Sequence, residues 1–213
     1  MTHRLILATR NPGKVREIRS ALGALPVETL DLSAYPQLAE PEETGATFAD
    51  NARQKALYYA GATGLWCLAD DSGLEVDAID GQPGVYSARF AAGQCQGGAT
   101  RAVIDAANNR KLLAMLKDVP DEKRTARFVC HLAMAGPKRV MLEAADKVEG
   151  RIGHEEQGSN GFGYDPLFYM PELGCTTAQL TQDQKNQISH RGKAVRRFVQ
   201  SLRELLKDAC STF

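Results

Sequence analysis

Apolar residues recur in two different spacings along the chain of 213 residues. Short continuous apolar runs at residues 5–8 and 65–69 are typical of buried strands. Val15, Ile18 and Leu22 lie three or four residues apart, which is the spacing of an amphipathic helix. A longer segment near the carboxyl end repeats that helical spacing. Together the two spacings predict a mixed α/β protein.

Two more helices are predicted between these segments. One begins near Thr47, whose spacing to Asp50 resembles a capping box, and continues to about residue 60. Gly61 and Gly64 are expected to stop it. The other helix is predicted over residues 101–117.

The middle of the sequence is typical of β-structure. Residues 127–135 and 140–145 are strand-like, and Gly136 and Pro137 between them predict an antiparallel pair. A further strand is expected to reach Ile152.

The order of these segments predicts a sheet with packed helices and a β-rich lobe, with a cleft between two lobes. No repeat or linker divides the sequence, so we expect one domain over residues 1–213. The glycines in residues 91–100 predict a mobile loop.

Composition narrows the class of protein. Lys plus Arg and Asp plus Glu number 26 each, so no overall field attracts nucleic acid or an anionic membrane. The five cysteines show no Cys-x-x-Cys spacing, which favours a reducing compartment, and Cys67 and Cys130 are expected in the core. The first apolar run is too short for a signal peptide or a membrane span. We therefore expect a cytoplasmic protein that binds neither nucleic acid nor membrane.

The sequence Asp70-Asp71-Ser72-Gly73 directly follows the predicted strand at residues 65–69. Carboxylates at the end of a buried strand are costly to desolvate, and a hard cation such as Mg²⁺ offsets that cost. A helix cap or an Asx-turn is the plain structural alternative. Three other segments, which are basic or rich in glycine, favour a nucleotide site.

The first of these segments is a polar loop between a strand and a helix, with the sequence Thr9-Arg10-Asn11-Pro12-Gly13-Lys14. Backbone N–H groups and the helix dipole favour phosphate there, and Lys14 adds a positive charge. The spacing is not that of a Walker A loop. An ordinary turn with an exposed lysine is the alternative.

Acidic residues precede the helix that begins near Thr47. Glu42 and Glu43 lie before it, and Asn51 and Lys55 lie one turn apart on one of its faces. One of the two carboxylates is a candidate to join Asp71 on the metal, and Lys55 is a candidate phosphate ligand. On spacing alone, a solvated face is favoured.

A glycine-rich segment follows at residues 158–166. Glycines on both sides of Phe162 let the backbone approach a flat ligand, and the ring offers a stacking face. Asp165 is a candidate to fix a donor group of that ligand. A tight loop with a buried Phe is an equally good interpretation of this segment alone.

Lys185 and Ser189-His190-Arg191-Gly192 open the last predicted helix. Two basic residues at the positive end of a helix dipole are locally unfavourable, which favours a ligand role over a solvated pair. His190 and Arg191 present donors that match a carbonyl group and mismatch an amino group.

These segments, in this order, resemble the inosine triphosphate pyrophosphatase family. The resemblance covers nearly the whole chain, and the ordered set is far more specific than any one motif. Arg10 departs from it, because many members carry glycine there. The motifs are Thr9-Arg10-Asn11-Pro12-Gly13-Lys14, Glu42-Glu43-Thr44-Gly45, Asp70-Asp71-Ser72-Gly73, Pro83-Gly84-Val85-Tyr86-Ser87-Ala88-Arg89, Gly161-Phe162-Gly163-Tyr164-Asp165-Pro166 and Ser189-His190-Arg191-Gly192.

The resemblance implies an elongated mixed α/β fold with two lobes around a central cleft, Mg²⁺ dependence and a homodimer. It also implies hydrolysis of ITP, dITP and XTP to the monophosphate and pyrophosphate, which clears the nucleotide pool. Asp71 would be the proton acceptor and, with Glu43, a metal ligand; Glu42 competes with Glu43. The implied substrate-binding residues are Thr9, Arg10, Asn11, Pro12, Gly13, Lys14, Lys55, Ser72, Phe162, Gly163, Tyr164, Asp165, Lys185, His190 and Arg191.

The resulting hypothesis is that Asp71 orients or deprotonates a water aimed at the α-phosphorus. Lys14 and Lys55 would neutralise charge on the departing pyrophosphate, as positioned cations do in phosphoryl transfer. Two alternatives stay open, a nucleotide sensor without hydrolysis and a pyrophosphatase for pyrimidine or methylated nucleotides. A nucleic-acid-binding protein is the least favoured alternative.

Overall fold

The computed structural model describes residues 3–23, 25–95 and 97–210. Its strands and helices alternate through the first half of the chain, and two helices close the described part. The strands are β1 His3–Leu7, β2 Val27–Asp31, β3 Trp66–Val76, β4 Thr125–Gly136, β5 Arg139–Ile152, β6 Phe168–Met170 and β7 Cys175–Thr176. The helices are α1 Pro12–Leu22, α2 Phe48–Thr63, α3 Arg101–Met115, α4 Gln182–Ile188 and α5 His190–Cys210.

The strands form one mixed sheet in the order β2-β1-β3-β4-β5-β6-β7. Strand β1 pairs in parallel with β2 and β3, whereas β6 pairs antiparallel with β5 and β7. Strands β4 and β5 are neighbours joined by the two residues 137–138, which is the connection of an antiparallel pair. The predicted α/β class is confirmed.

The chain divides into two compact units, each built from separated segments. Unit 1 comprises residues 1–71, 130–146 and 191–213, and unit 2 comprises residues 72–129 and 147–190. The chain passes from one unit to the other four times, which explains why the sequence contains no linker. That the whole chain forms one domain stays a prediction, as do the elongated shape and the cleft.

Unit 1 buries both faces of its sheet. Leu5, Leu7 and Leu68 pack on one face with residues of α1 and α5. Ile6, Cys67 and Ala69 pack on the other face with residues of α2. Alternation of side chains along a strand therefore decides which helices each residue of β1 and β3 contacts.

Unit 2 has a core of its own. Leu112 and Leu116 at the end of α3 pack against strand residues that include Phe128 and Phe168. Among the described residues of both units, no helix is long and apolar enough to cross a membrane.

Strand β3 differs from the prediction in a way that matters for the site. The sequence predicted a strand at residues 65–69 that ended before Asp70, but β3 continues to Val76, so residues 70–73 lie inside it. Asp70 is buried and Asp71 nearly so. Carboxylates can stay in a buried strand only where other charged groups balance them.

Some helix boundaries also differ from the prediction. Helix α1 begins at Pro12, so Lys14 lies in its first turn rather than in a loop. Helix α2 runs through Gly61 and ends at Gly64, whose φ of 73° is left-handed. A single glycine inside a helix is tolerated, whereas a left-handed cap ends it.

Several elements were not predicted at all. Strands β2, β6 and β7 are short, and α4 begins at a capping box made by Thr181 and Gln184, directly before α5. The strand predicted to reach Ile152 is the continuation of β5. Residues 92–94 form a short 3-10 turn, and mobility of the segment 91–100 stays a prediction.

The burial predicted for two cysteines is confirmed, whereas most of the predicted frayed end lies outside the described residues. Cys67 and Cys130 are fully buried, as predicted. Burial raises the pKa of the Cys67 thiol to about 12. Fraying was predicted for residues 210–213; α5 includes Cys210, and residues 211–213 lie outside the described residues.

Candidate active site

Asp70 lies at the centre of a buried charge network in unit 1. Its side chain follows Leu68 on the face that α1 and α5 cover, so it meets Lys14 from α1 and Arg191 from α5. The Nε of Arg191 donates to its Oδ2 at 3.3 Å, and Lys14 pairs with its Oδ1. Arg191 also donates from Nη1 to Glu17 Oε2 at 3.0 Å. Each buried charge here therefore has an opposite charge beside it.

Asp71 points to the other face of β3, the face that α2 covers. Asn51 Nδ2 donates to its Oδ2 at 3.1 Å, and Lys55 Nζ donates to its Oδ1 at 3.2 Å. Asn51 and Lys55 lie one turn apart on α2, so one helix face holds both carboxylate oxygens. The predicted shared face of these two residues is confirmed, but both are buried rather than solvated.

Glu43 joins the same group through Lys55. The Lys55 Nζ donates to Glu43 Oε1 at 2.8 Å, so one ammonium contacts both Glu43 and Asp71. Asn51 Oδ1 accepts from the Gly45 N–H at 2.8 Å, which anchors the segment that carries Glu43. A Cβ on Gly45 would lie 2.7 Å from that Oδ1, so only glycine fits. The neighbouring Glu42 is exposed.

The two adjacent aspartates have opposite pKa shifts. Burial alone would raise the pKa of Asp70, but Lys14 and Arg191 outweigh it and hold that pKa well below the ordinary value of 3.8. Burial raises the pKa of Asp71, and Glu43 raises it further, so that Lys55 and Asn51 do not compensate fully. The pKa of Lys55 is raised as well, because Asp71 and Glu43 outweigh its own burial. Adjacent carboxylates with divergent pKa values are typical of acid–base sites.

Glu43 and Asp71 fit a hard divalent cation by donor type, since both supply only oxygen. Within the described ranges, no three or more His, Cys, Asp and Glu side chains are grouped to hold a metal ion. Mg²⁺ commonly binds through one or two carboxylates and completes its shell with water and phosphate oxygens. The two carboxylates around Lys55 are compatible with that mode.

The loop before α1 is ordered by its own side chains. Asn11 caps the helix, because its Oδ1 accepts from the N–H groups of Gly13 at 2.9 Å and Lys14 at 3.4 Å. Thr9 Oγ1 accepts from the Asn11 N–H at 3.2 Å. Arg10 instead donates to the Leu38 carbonyl at 2.9 Å. Pro12 is the first residue of α1, whose fixed φ suits a helix start.

In unit 2, the glycine-rich loop is fixed around Asp165. Its Oδ2 accepts from the Phe162 N–H at 2.8 Å and pairs with Lys185, and its Oδ1 accepts from Thr177 Oγ1 at 2.9 Å. Asp165 was predicted to fix a donor group of the ligand; in this structure three protein donors engage it. A Cβ on Gly161 would lie 2.2 Å from that Oδ2, and its φ of 81° also favours glycine.

Phe162 is the exposed member of this loop. Its side chain is 40% exposed, and the Lys185 Nζ lies 5.0 Å from the ring centroid. A cavity of about 330 Å³ adjoins it, and its lining includes Gly161 and Lys185. The loop therefore presents an aromatic face beside a cation and an open volume.

Tyr164 and His190 are packed inside unit 2. The Tyr164 hydroxyl donates to the Ser87 carbonyl at 2.9 Å, and burial raises its pKa. The His190 ring stacks on Phe128 with centroids 5.0 Å apart and planes 19° apart. Both rings therefore belong to the packed interior around the loop. Ser72 is half-buried in β3, and Gly163 has a left-handed φ of 63°.

Two further side chains lie in polar or aromatic pairs. His131 Nε2 lies 2.9 Å from Glu143 Oε1, and the His131 side chain is partly buried. The guanidinium of Arg89 lies 5.3 Å from the centroid of the Tyr86 ring.

Sequence reasoning missed three residues that organise these groups. Glu17 pairs with Arg191, and Asp105 and Asn109 on α3 both bind Gly163. Glu17 lies three residues after Lys14, the spacing of one helical turn, whereas no motif in the sequence marked Asp105 and Asn109.

The fold is that of a known class of α/β protein. A Ham1 protein from Coxiella burnetii has the same fold, with a TM-score of 0.85 and 38% identity, over 95% of this chain and 99% of that one. The match extends beyond the sheet to nearly every residue of both chains.

Comparison of sequences assigns the chain to one family within this class. It matches the model of the Ham1 family over residues 5–201. A dITP/XTP pyrophosphatase from Nitratidesulfovibrio vulgaris is 51% identical over 197 residues, covering 92% of this chain and 94% of that protein. Another from Exiguobacterium sibiricum is 49% identical over 205 residues, covering 96% of this chain and all of that protein. The chain belongs to the Ham1 family, and the predicted resemblance is confirmed.

Proposed function

We propose that this protein hydrolyses ITP, dITP and XTP to the nucleoside monophosphate and pyrophosphate. Two of its relatives carry the name dITP/XTP pyrophosphatase. This activity would remove non-canonical purine nucleotides from the nucleotide pool.

The observation that carries the proposal is the opposite environment of Asp70 and Asp71. Two cations balance Asp70, whereas Asp71 shares one ammonium with Glu43 and has a raised pKa. A general base works best with a pKa shifted toward the working pH, which Asp71 has and Asp70 lacks. A site that only binds triphosphate gains nothing from such a carboxylate. We therefore assign hydrolysis rather than sensing.

In the proposed reaction, Asp71 accepts a proton from a water as the water oxygen bonds to the α-phosphorus. The bond from that phosphorus to the bridging oxygen breaks, and pyrophosphate leaves with the bonding electrons. Lys55 and Lys14 stabilise the charge that develops on the leaving group. Lys14 would exchange its pairing with Asp70 for the phosphate, at the amino end of α1, where backbone N–H groups also favour anions.

We propose that Glu43 and Asp71 hold Mg²⁺, in preference to Glu42, because Glu42 is exposed whereas Glu43 is held by Lys55. When bound, Mg²⁺ would supply charge neutralisation for the triphosphate. Glu43 and Asp71 share one ammonium, so the group keeps an excess negative charge that a metal cation would balance.

Recognition of the base is assigned to residues of unit 2 and to Arg191. Phe162 would stack on the purine, and Lys185 and His190 would donate toward a 6-oxo group. A 6-amino group would leave these donors without an acceptor, which disfavours adenine. Arg191 is engaged by Asp70 and Glu17, so its contribution would be through its position and charge.

The test is a substrate panel with a product assay. The purified protein is incubated with ITP, dITP, XTP, GTP, ATP and dUTP plus Mg²⁺, and released pyrophosphate and phosphate are measured separately. The proposal expects pyrophosphate from the first three, and none after chelation of Mg²⁺. Phosphate as the product, preference for dUTP, or binding without turnover would each assign one of the alternative functions instead.

The homodimer and the cytoplasmic location belong to the same proposal. The homodimer is what the family resemblance implies, and the cytoplasmic location is inferred from the cysteine spacing and the short first apolar run. Sedimentation of the purified protein and fractionation of cells measure them directly.

A further inference from the structure

Helix α3 presents two polar side chains, one turn apart, to the backbone of Gly163. Asp105 Oδ2 accepts from the Gly163 N–H at 3.0 Å. Asn109 Nδ2 donates to the Gly163 carbonyl at 3.2 Å. The peptide groups before and after Gly163 are thus held by the same helix face, directly after Phe162 in the chain.

Both side chains are themselves oriented by other partners. Arg101 Nε lies 2.8 Å from Asp105 Oδ1, one turn earlier on α3. Asn109 Nδ2 also donates to Glu156 Oε1 at 2.9 Å, and Asn109 is only 3% exposed. A buried amide that donates to two acceptors has one allowed orientation, so it holds the Gly163 carbonyl firmly.

The loop needs such a hold because its backbone is unusual. Gly161 and Gly163 have φ values of 81° and 63°, and glycine in these conformations gains no stiffness from a side chain. Asp165 fixes the Phe162 N–H from the other side. With Asp105 and Asn109, three anchors surround a residue whose ring is 40% exposed.

We propose that Asp105 and Asn109 are positioning residues that fix the Phe162 ring for stacking on the substrate base. This inference rests on the proposed function, since it assumes that Phe162 contacts the base. A ring held in place loses little freedom on binding, and preorganisation of that kind appears as affinity. Asp105 and Asn109, which together we call the Gly163 clamp, therefore affect KM and leave the chemistry at Asp71 unchanged.

The adjacent Asn108 provides a matched control. It is also buried on α3, but it accepts from the Ala91 N–H at 2.7 Å and donates to the Ser87 carbonyl at 3.2 Å. Asn108→Ala removes two hydrogen bonds of a buried amide, as Asn109→Ala does, but neither of them involves Gly163. The Asn108→Ala variant therefore shows how much of any effect comes from lost stability and how much from losing the hold on Gly163.

The test compares steady-state kinetics for ITP and amide hydrogen exchange in Asp105→Ala, Asn109→Ala and Asn108→Ala. We expect the first two to raise KM about tenfold with kcat within about threefold of wild type, as the loss of a charged or buried hydrogen bond implies. The Gly163 amide should exchange faster in Asp105→Ala. Asp105→Asn, which keeps an acceptor oxygen, should restore most of the KM.

The possible results distinguish a failure of the proposed function from a failure of the inference about Asp105 and Asn109. Wild-type protein that releases no pyrophosphate from ITP, dITP or XTP overturns the proposed function, and this inference with it. An active wild type with unchanged KM in both variants, or with an equal rise in Asn108→Ala, overturns the inference alone. Unchanged exchange of the Gly163 amide in Asp105→Ala also overturns it.

Discussion

Lys55 Nζ lies 3.2 Å from Oδ1 of Asp71, and the same nitrogen lies 2.8 Å from a carboxylate oxygen of Glu43. Both side chains of the Lys55–Asp71 pair are about nine-tenths buried. One cation thus serves two acids, and the group carries excess negative charge. Burial raises the pKa of Asp71, and the nearby Glu43 carboxylate raises it further. This excess links the structure of unit 1 to a reaction in which Asp71 takes up a proton.

Asp71→Asn is the sharpest test of that link. The amide keeps the shape of the side chain but cannot accept the proton, so we expect kcat to fall by about 10²–10⁴-fold, the usual contribution of a general base. Thermal unfolding should change little, since the ionised carboxylate is disfavoured by burial in the folded state. The measurement is pyrophosphate release from ITP together with calorimetry.

The matched control for that variant is Asp77→Asn. Asp77 directly follows β3 but lies at the surface, where it pairs with Arg127. Its replacement should leave turnover unchanged. Turnover retained in Asp71→Asn would remove Asp71 from the reaction.

Asp70→Asn should instead destabilise the fold. The variant leaves Lys14 and Arg191 short of a counter-charge beside a carboxylate that is only 1% exposed. Removing one partner of a buried charge network costs about 3–5 kcal/mol. Urea unfolding at neutral pH should show that loss, and an unchanged unfolding midpoint would contradict the network.

The pH dependence of stability offers a second measurement on Asp70. Its pKa in the folded protein lies below the ordinary value of 3.8, because Lys14 and Arg191 overcome its burial. Its carboxylate therefore stabilises the fold above about pH 4, and that contribution is lost as the pH falls through the ordinary value toward the lower folded one. Between about pH 5 and about pH 3, the unfolding free energy of wild type should therefore fall more steeply than that of Asp70→Asn. Parallel curves would contradict the assignment.

The sequence predicted that Asp70 and Asp71 belong to a polar group next to a buried strand, but it ended the strand too early. The apolar run stops at Ala69, and hydrophobicity alone gives no reason to continue a strand through two aspartates. The reason lies in long-range partners, since Lys14 and Arg191 are 56 and 121 residues away from Asp70. Charge compensation of that kind is invisible to local patterns.

The same limit applies to Arg191. Its place at the start of a helix suggested that it needs a ligand, because a cation is unfavourable there. The structure supplies Glu17 and Asp70 instead. By contrast, the shared face of Asn51 and Lys55 follows from helical periodicity alone and was predicted correctly.

His190 and Arg191 should therefore respond differently to substitution. His190→Ala should lower the ratio of kcat/KM for ITP over ATP by roughly tenfold or more, since one unpaired buried donor costs about 1–3 kcal/mol. Arg191→Ala should lower stability as well, because Glu17 loses its partner in the network and Asp70 loses one of its two cations. The control is Arg197→Ala on the same helix, where Arg197 is 69% exposed and pairs with Asp146. An unchanged ratio in His190→Ala would assign base discrimination to other residues.

Phe162→Ala should weaken substrate binding without stopping the reaction. Stacking of a base on an aromatic ring contributes about 1–3 kcal/mol by alanine substitution, so KM for ITP should rise roughly 5- to 150-fold. Tyr86→Ala is the control, because Tyr86 is also an exposed aromatic residue of unit 2, at 60%, yet lies outside the glycine-rich loop. Phe162→Trp should keep KM near that of wild type, since indole stacks equally well. If Phe162→Ala and Tyr86→Ala have the same KM, the Phe162 ring is not the platform for the base, and the role of the loop lies in its contacts with Asp165 and Lys185 instead.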